Sequence, residues 1–296
     1  MASKQRQSGF TIIEMLTVVV IIAILVGLLV PTVNTVRNMA RTAKQKAQFA
    51  SIDMAITAFK TDYGDYPPTF LPHDNTMPAW NGSPYTTSQM LAEAILGQDL
   101  MGFHPDSDWT DAMVESGGAY NFDGLSENEI QQNLDRRSGP YLDTSQANAF
   151  RIGDLFVENW GNLNPDTFVL CDVFGVRRLF IGDKTVKAGT PILYFKANAI
   201  SKKMDSVEPT NSIYNIYQNA NLISLGPVKP DGSESDILHP LLDNWGTLFY
   251  SAGGYKVIDP KITGRPWPHR PDSYILISAG PDGLFGNSDD ITNFGE

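Results

Sequence analysis

The sequence predicts an α+β protein in which one long N-terminal helix, apolar through its first half, packs on a small antiparallel sheet, with a helical and loop-rich insertion between them. Three observations carry this. Residues 10–30 form an apolar run of 21 residues with one charge, Glu14. Helical periodicity then continues, with Phe49, Ile52, Ile56, Phe59 and Tyr63 at spacings of 3, 4, 3 and 4, one stripe of a 3.6-residue helix. Strand-like runs appear only later, at 168–174, 178–181, 191–196 and 274–278, between stretches rich in Asn, Asp, Gly and Pro.

The apolar run at 10–30 has the length a helix needs to cross the hydrocarbon core of a bilayer, about 20 residues. A secretory signal peptide has a shorter apolar stretch and ends at a small-residue site, and none follows at 31–35. A plain membrane anchor has no use for Glu14, since an acidic side chain inside a membrane helix is costly and marks a partner. Cleavage between Gly9 and Phe10 would supply that partner as a new α-amine four positions before Glu14. The basic leader, Lys4 and Arg6, places the N-terminus in the cytoplasm by the positive-inside tendency.

A basic leader ending in Gly9, then Phe10-Thr-Ile-Ile-Glu14 and an apolar run, resembles the prepilin signal of type IV pilins and pseudopilins. The resemblance implies a pilin-like fold, cleavage after Gly9 by a prepilin peptidase, N-methylation of Phe10, and pairing of Glu14 with the Phe10 amine of an adjacent subunit during assembly. It also implies a single pass through the inner membrane, with the globular part in the periplasm.

Beyond the apolar run, Pro31 removes one helical hydrogen bond. Pilin-like proteins carry a proline at this spacing, where the helix bends or unwinds in the fibre; a simple kink at the membrane surface is the other reading. Gly27 adds to the local weakness of the helix. The stripe from Phe49 to Tyr63 faces a globular domain, Arg41, Lys44, Lys46, Asp53 and Lys60 lie on the other side, and Gly64 with Pro67-Pro68 stops the helix. An apolar half-helix that leaves the lipid must be buried in protein, and bundling with further copies along a filament axis achieves this.

The segment Ser278-Ala-Gly-Pro-Asp282-Gly-Leu-Phe-Gly-Asn-Ser-Asp289-Asp290 follows a strand and reads as a tight acidic loop. Carboxylates and carbonyls on a glycine-bent loop suit calcium, although a solvated turn has the same composition, and the spacing is not that of an EF-hand. The loop resembles the C-terminal calcium loop of the major pseudopilins of type II secretion, the GspG-like subunits. That resemblance implies Asp282, Asp289, Asp290 and Ser278 as the calcium site. Residues 243–247 and 63–67 also resemble a turn and a helix exit of that family, with Asn244 and Thr247 departing from it.

The organisation expected is therefore a leader at 1–9, a membrane and filament-core helix at 10–31, its amphipathic half at 32–66, an insertion at 67–240, and a C-terminal sheet with the loop at 241–296. Within the insertion, Ser88 is the expected cap of a helix over 89–96, and 126–129 forms a capping box.

With 42% hydrophobic and 10% aromatic residues, the 296-residue chain can bury a core in one domain, or one domain with an elaboration. The net charge is −11, and loss of Lys4 and Arg6 with the leader would take it to −13. Such a chain lacks the basic face that phosphate binding needs, which argues against nucleic acid as a main ligand and permits divalent cations. The lone Cys171 excludes an intrachain disulfide and reads as a buried, inert thiol.

His73, His104, His239 and His269 have no metal spacing, and no nucleophile or phosphate-loop motif occurs, so an enzyme is not expected. The acidic clusters at 106–108 and 231–236 read as solvated turns, and Trp80, Trp109 and Trp160 as core. The leading expectation is a homopolymeric pseudopilus subunit, working with other pseudopilins, an inner-membrane assembly platform and an outer-membrane channel. The alternatives are a surface type IV pilin for adhesion, motility or DNA uptake, and an anchored module that never polymerises.

Overall fold

A computed structural model describes residues 11–69, 79–80, 83–109, 118–250 and 256–295. The chain forms two compact units, Met1–Ala43 and Lys44–Glu296. Helix α1 runs over Ile12–Tyr63. It ends where Gly64 takes a left-handed φ of 84° and donates its N–H to the Lys60 carbonyl at 2.8 Å, ahead of Pro67 and Pro68. The expected stop is the observed one.

In the first unit the described side chains of α1 are exposed apart from half-buried Thr42, Ile12 by 88% and Leu28 by 67%. In the second, Phe49, Ile52, Ile56 and Phe59 are buried and Tyr63 half-buried, which is the expected stripe. Arg41, Lys44 and Lys46 are exposed as expected. Asp53 and Lys60 are half-buried instead: Asp53 accepts hydrogen bonds from Tyr274 and Asn293, and the Lys60 ammonium lies 3.8 Å from the centre of the Tyr66 ring.

After α1 come a short antiparallel pair, β1 (Ala79–Trp80) and β2 (Ser83–Pro84), then α2 (Thr87–Leu96) and α3 (Glu127–Asp135). Helix α2 is capped by Thr86, not Ser88. The Thr86 hydroxyl accepts from the Gln89 N–H and the Gln89 side chain accepts from the Thr86 N–H, while Ser88 is tied to Asn219. The capping box of Ser126 and Glu129 forms as expected.

Next are β3 (Ala149–Arg151), a helical turn α4 (Ile152–Leu155), β4 (Phe168–Leu170), β5 (Arg177–Ile181), β6 (Lys184–Ala188) and β7 (Leu193–Lys196). Short helices α5 (Ala220–Ser224), α6 (Pro240–Asp243) and α7 (Trp245–Tyr250) precede β8 (Tyr274–Ser278) and β9 (Ile291–Thr292). Residues 243–247, expected as a turn, are the junction of α6 and α7, where the Asn244 carbonyl accepts from the N–H groups of Thr247 and Leu248.

The strands form four antiparallel sheets among the described residues rather than one: β1–β2, β3–β4, β5–β6 and β7–β8–β9. The fold is α+β, as expected. The three-stranded sheet is its centre because both faces are buried. Along β7 and β8, Tyr194, Tyr274 and Leu276 pack with Phe49, Ile52 and Ile56 of α1 and with α2, whereas Leu193, Phe195, Ile275 and Ile277 pack with Leu222, Phe249 and their neighbours. Strand β7 and helix α2 come from the stretch read as an insertion, and they sit in the same core as α1 and β8. Trp160 and Trp109 are partly buried against core clusters, and the side chain of Trp80 lies outside the described residues.

Candidate functional site

Gly9 and Phe10 lie outside the described residues. Immediately after them, Thr11 and Glu14 close the N-terminus of α1. The Glu14 carboxylate accepts from the Thr11 N–H and hydroxyl, each at 2.8 Å, and the Glu14 N–H donates to the Thr11 hydroxyl at 3.3 Å. This is a capping box, and its Thr-x-x-Glu spacing is legible in the sequence. Glu14 is exposed. From Ile12 to Leu29 the helix is 18 residues long with a mean hydropathy of 3.0 and none of it buried, long and apolar enough to cross a membrane. Its backbone stays helical through Pro31.

The C-terminal loop begins where β8 ends at Ser278. Gly280, with φ of 69°, lets the chain pass the Asp289 carbonyl, which a Cβ there would meet at 2.3 Å. Asp282 accepts from the Leu284 N–H at 2.8 Å and the Asn287 amide at 2.7 Å. Asp289 accepts from the Asp282 N–H at 3.3 Å, and burial together with the neighbouring Asp282 carboxylate pushes its carboxyl above the usual range. Buried Asp290 accepts from the N–H groups of Gly286 and Asn287 at 2.7 and 3.2 Å.

The Lys256 ammonium donates to the carbonyls of Ser288 and Asp290. His239 accepts the Phe285 N–H at 3.1 Å, and burial pulls its imidazole down to about 4, so it is neutral there. The loop is thus held by its own side chains, one ammonium and one neutral imidazole. Of the residues expected to hold calcium, Asp282 and Asp289 are brought together. Asp290 spends one oxygen on the backbone, and the Ser278 hydroxyl donates to Asp172 at 3.0 Å instead. Among the described residues no group of three or more His, Cys, Asp or Glu is placed to hold a metal ion.

Asp172 was missed by the sequence reading. It is buried, next to the buried Cys171, and accepts from the N–H groups of Phe174 and Thr190 at 3.1 and 3.2 Å as well as from Ser278. Its bond to Phe174 turns the chain after β4, which is why the strand expected to reach 174 stops at Leu170. Burial raises its carboxyl from 3.8 to about 7. Gln45 and Gln48 of α1 hold the same turn, through the Val173 N–H and the Cys171 carbonyl, each at 2.9 Å. A second buried carboxylate, Glu93 of α2, accepts from Tyr85, Gln98 and Ser107. Neither is part of a short sequence pattern: Asp172 reaches Thr190 and Ser278, and the partners of Glu93 fall at no helical or strand period.

The comparisons bear on the first of these regions. Residues 4–30 match the family model of the prokaryotic N-terminal methylation motif. The chain is 40% identical over 68 residues to the type II secretion system core protein G of Aeromonas hydrophila, covering 22% of this chain and 46% of that one. It is 39% identical over 66 residues to the protein of the same name from Pseudomonas aeruginosa, covering 22% and 46%. With that of Escherichia coli it is 37% identical over 71 residues, covering 23% and 48%. The chain thus spans about half the length of the curated relatives it matches. No solved structure matches it. The chain therefore joins an N-terminal methylation motif to a long apolar helix in an α+β fold. More particularly, over 66 to 71 residues the chain is similar to the type II secretion system core protein G of these bacteria.

Proposed function

We propose that the chain is a structural subunit of a type II secretion pseudopilus. A prepilin peptidase cuts it after Gly9, Phe10 is N-methylated, and copies polymerise through α1, with Glu14 exchanging its Thr11 contacts for the Phe10 amine of a neighbour. The observation that supports this best is the methylation motif joined to an exposed apolar helix with one carboxylate, Glu14, in its first turn. Such a helix needs lipid before assembly and other copies after it. The anchor lies in the inner membrane, with the N-terminus cytoplasmic and the globular unit periplasmic. The fibre works with other pseudopilins, an inner-membrane assembly platform and an outer-membrane channel to export proteins. No catalytic role is assigned to it.

Calcium at the C-terminal loop belongs to the same reading. Asp282 and Asp289 are the carboxylates that would meet it, and the supporting observation is their mutual crowding. The ion would supply the charge that two adjacent carboxylates lack.

Deleting the gene is expected to abolish export of secreted proteins and leave twitching and surface attachment intact. The reverse pattern would support a surface pilus and sink the pseudopilus reading.

A further inference from the structure

The β5–β6 hairpin does not fit the charge of the rest of the molecule. In a chain with 33 acidic and 22 basic residues, its residues 177–188 hold four of the basic ones and a single acid, Asp183. Strand register sorts them onto two faces. Leu179 and Val186, a cross-strand pair, pack partly buried against the core, and the Arg177 guanidinium donates to the Asp154 carbonyl. The hairpin is therefore seated on the domain. On the other face Arg178 stands directly opposite Lys187, and Phe180 opposite Thr185. Arg178 and Lys187 are exposed, and Phe180 is 83% exposed. No carboxylate among the described residues is salt-bridged to Arg178 or Lys187.

Like charges directly opposite in a two-stranded sheet oppose its formation, and an aromatic ring held in water adds nothing to folding. Both features favour a docked surface, where carboxylates relieve the paired cations and the ring is covered. The chain itself makes the complementary surface, since each copy carries a net charge of −11, or −13 once the leader with Lys4 and Arg6 is removed. Two copies meeting through their general surfaces repel each other; a cationic hairpin meeting an acidic surface does not. A contact between unlike patches is heterologous, and it repeats from copy to copy as a filament requires.

We propose that the outer face of the β5–β6 hairpin, centred on Phe180 with Arg178 and Lys187 beside it, docks on carboxylates of a second copy of this chain and fastens the globular units of neighbouring subunits. The proposal rests on the polymeric reading given above. It adds a contact outside α1, at residues beyond the matched N-terminal portion.

The test uses the full chain in membranes of cells that assemble it, with a photo-crosslinking amino acid at position 180. Leu16→Cys provides a separate report on contact between helices, because the native Cys171 is buried. The expected result is an adduct between two copies, joined to a peptide containing Asp or Glu. It should fall at least ten-fold when Arg178→Glu and Lys187→Glu are combined, and persist when Arg178→Lys and Lys187→Arg are combined. The Leu16→Cys dimer should form in all three. Adducts only with lipid or with another protein overturn the proposal, as does the absence of an adduct while the Leu16→Cys dimer forms. Loss of both cross-links overturns the polymeric reading together with it.

Discussion

The two parts of α1 use similar apolar residues and end in opposite environments. From Ile12 to Leu29 every described side chain is exposed; from Phe49 to Phe59 the apolar stripe is buried against the central sheet and α2. The difference is one of pattern. The first part is apolar all round, so no single face can satisfy it and it requires lipid or further copies. The second has one apolar stripe and a polar remainder, so its own domain suffices. A helix without a polar face is a statement about partners, whereas a helix with one is a statement about its own fold.

Substitutions in the two parts should therefore have unequal effects. Phe59→Ala removes a buried ring that meets Tyr63, Phe103, Trp109 and Tyr141, and should cost about 3–5 kcal/mol in unfolding of the globular unit. Val19→Ala, at an exposed position, should leave that transition within about 0.5 kcal/mol. Chemical denaturation of the full chain in detergent measures both. Equal effects would mean that the first part also belongs to the folded core.

A smaller effect is expected at Asp172. Its folded value lies near 7 and its ordinary value at 3.8, so the folded state holds a proton that the unfolded chain has released between these limits. Stability is therefore greatest below about pH 4, falls as pH rises through about 7, and is level above. Asp172→Asn keeps an oxygen for the Phe174 and Thr190 N–H groups and an amide for Ser278, and should flatten that slope. Thermal midpoints at acidic and neutral pH check this; an unchanged slope would place the titration elsewhere.

The smallest effect concerns calcium. Calcium in excess should raise the midpoint by several degrees relative to chelator, on the order of 2–3 kcal/mol at about 100 times its dissociation constant, and Asp289→Ala should remove the increment. No shift in the native chain would leave the loop to Lys256 and its own hydrogen bonds.

How much of this was legible in the sequence follows from how local each signal is. The end of α1 at Gly64, the stripe from Phe49 to Tyr63, the capping box of Ser126 and the strand Tyr274–Ser278 rest on neighbours a few residues apart, and all were readable. Thr86 replaced Ser88 as a cap because Asn219, far along the chain, takes Ser88. The part of β7 in the central sheet was hidden because its partner β8 lies some 80 residues away, and periodicity carries no information about pairing. Asp172 was hidden in the same way, by its bond to Ser278, and Glu93 because Tyr85, Gln98 and Ser107 reach it through loops with no periodic pattern. At the C-terminal loop the acidic spacing was legible. What Ser278 does with its hydroxyl, and that Lys256 reaches the loop carbonyls, depends on tertiary placement alone.

In the proposed fibre other copies cover the exposed half of α1, and Glu14 would guide them there. The most direct test is disulfide cross-linking of Leu16→Cys in cell membranes, with Glu14 intact and with Glu14→Ala. A cross-linked dimer with Glu14 intact, lost in Glu14→Ala while the total amount of the chain is unchanged, is the expected result. Equal dimer in both, or none in either, would contradict it.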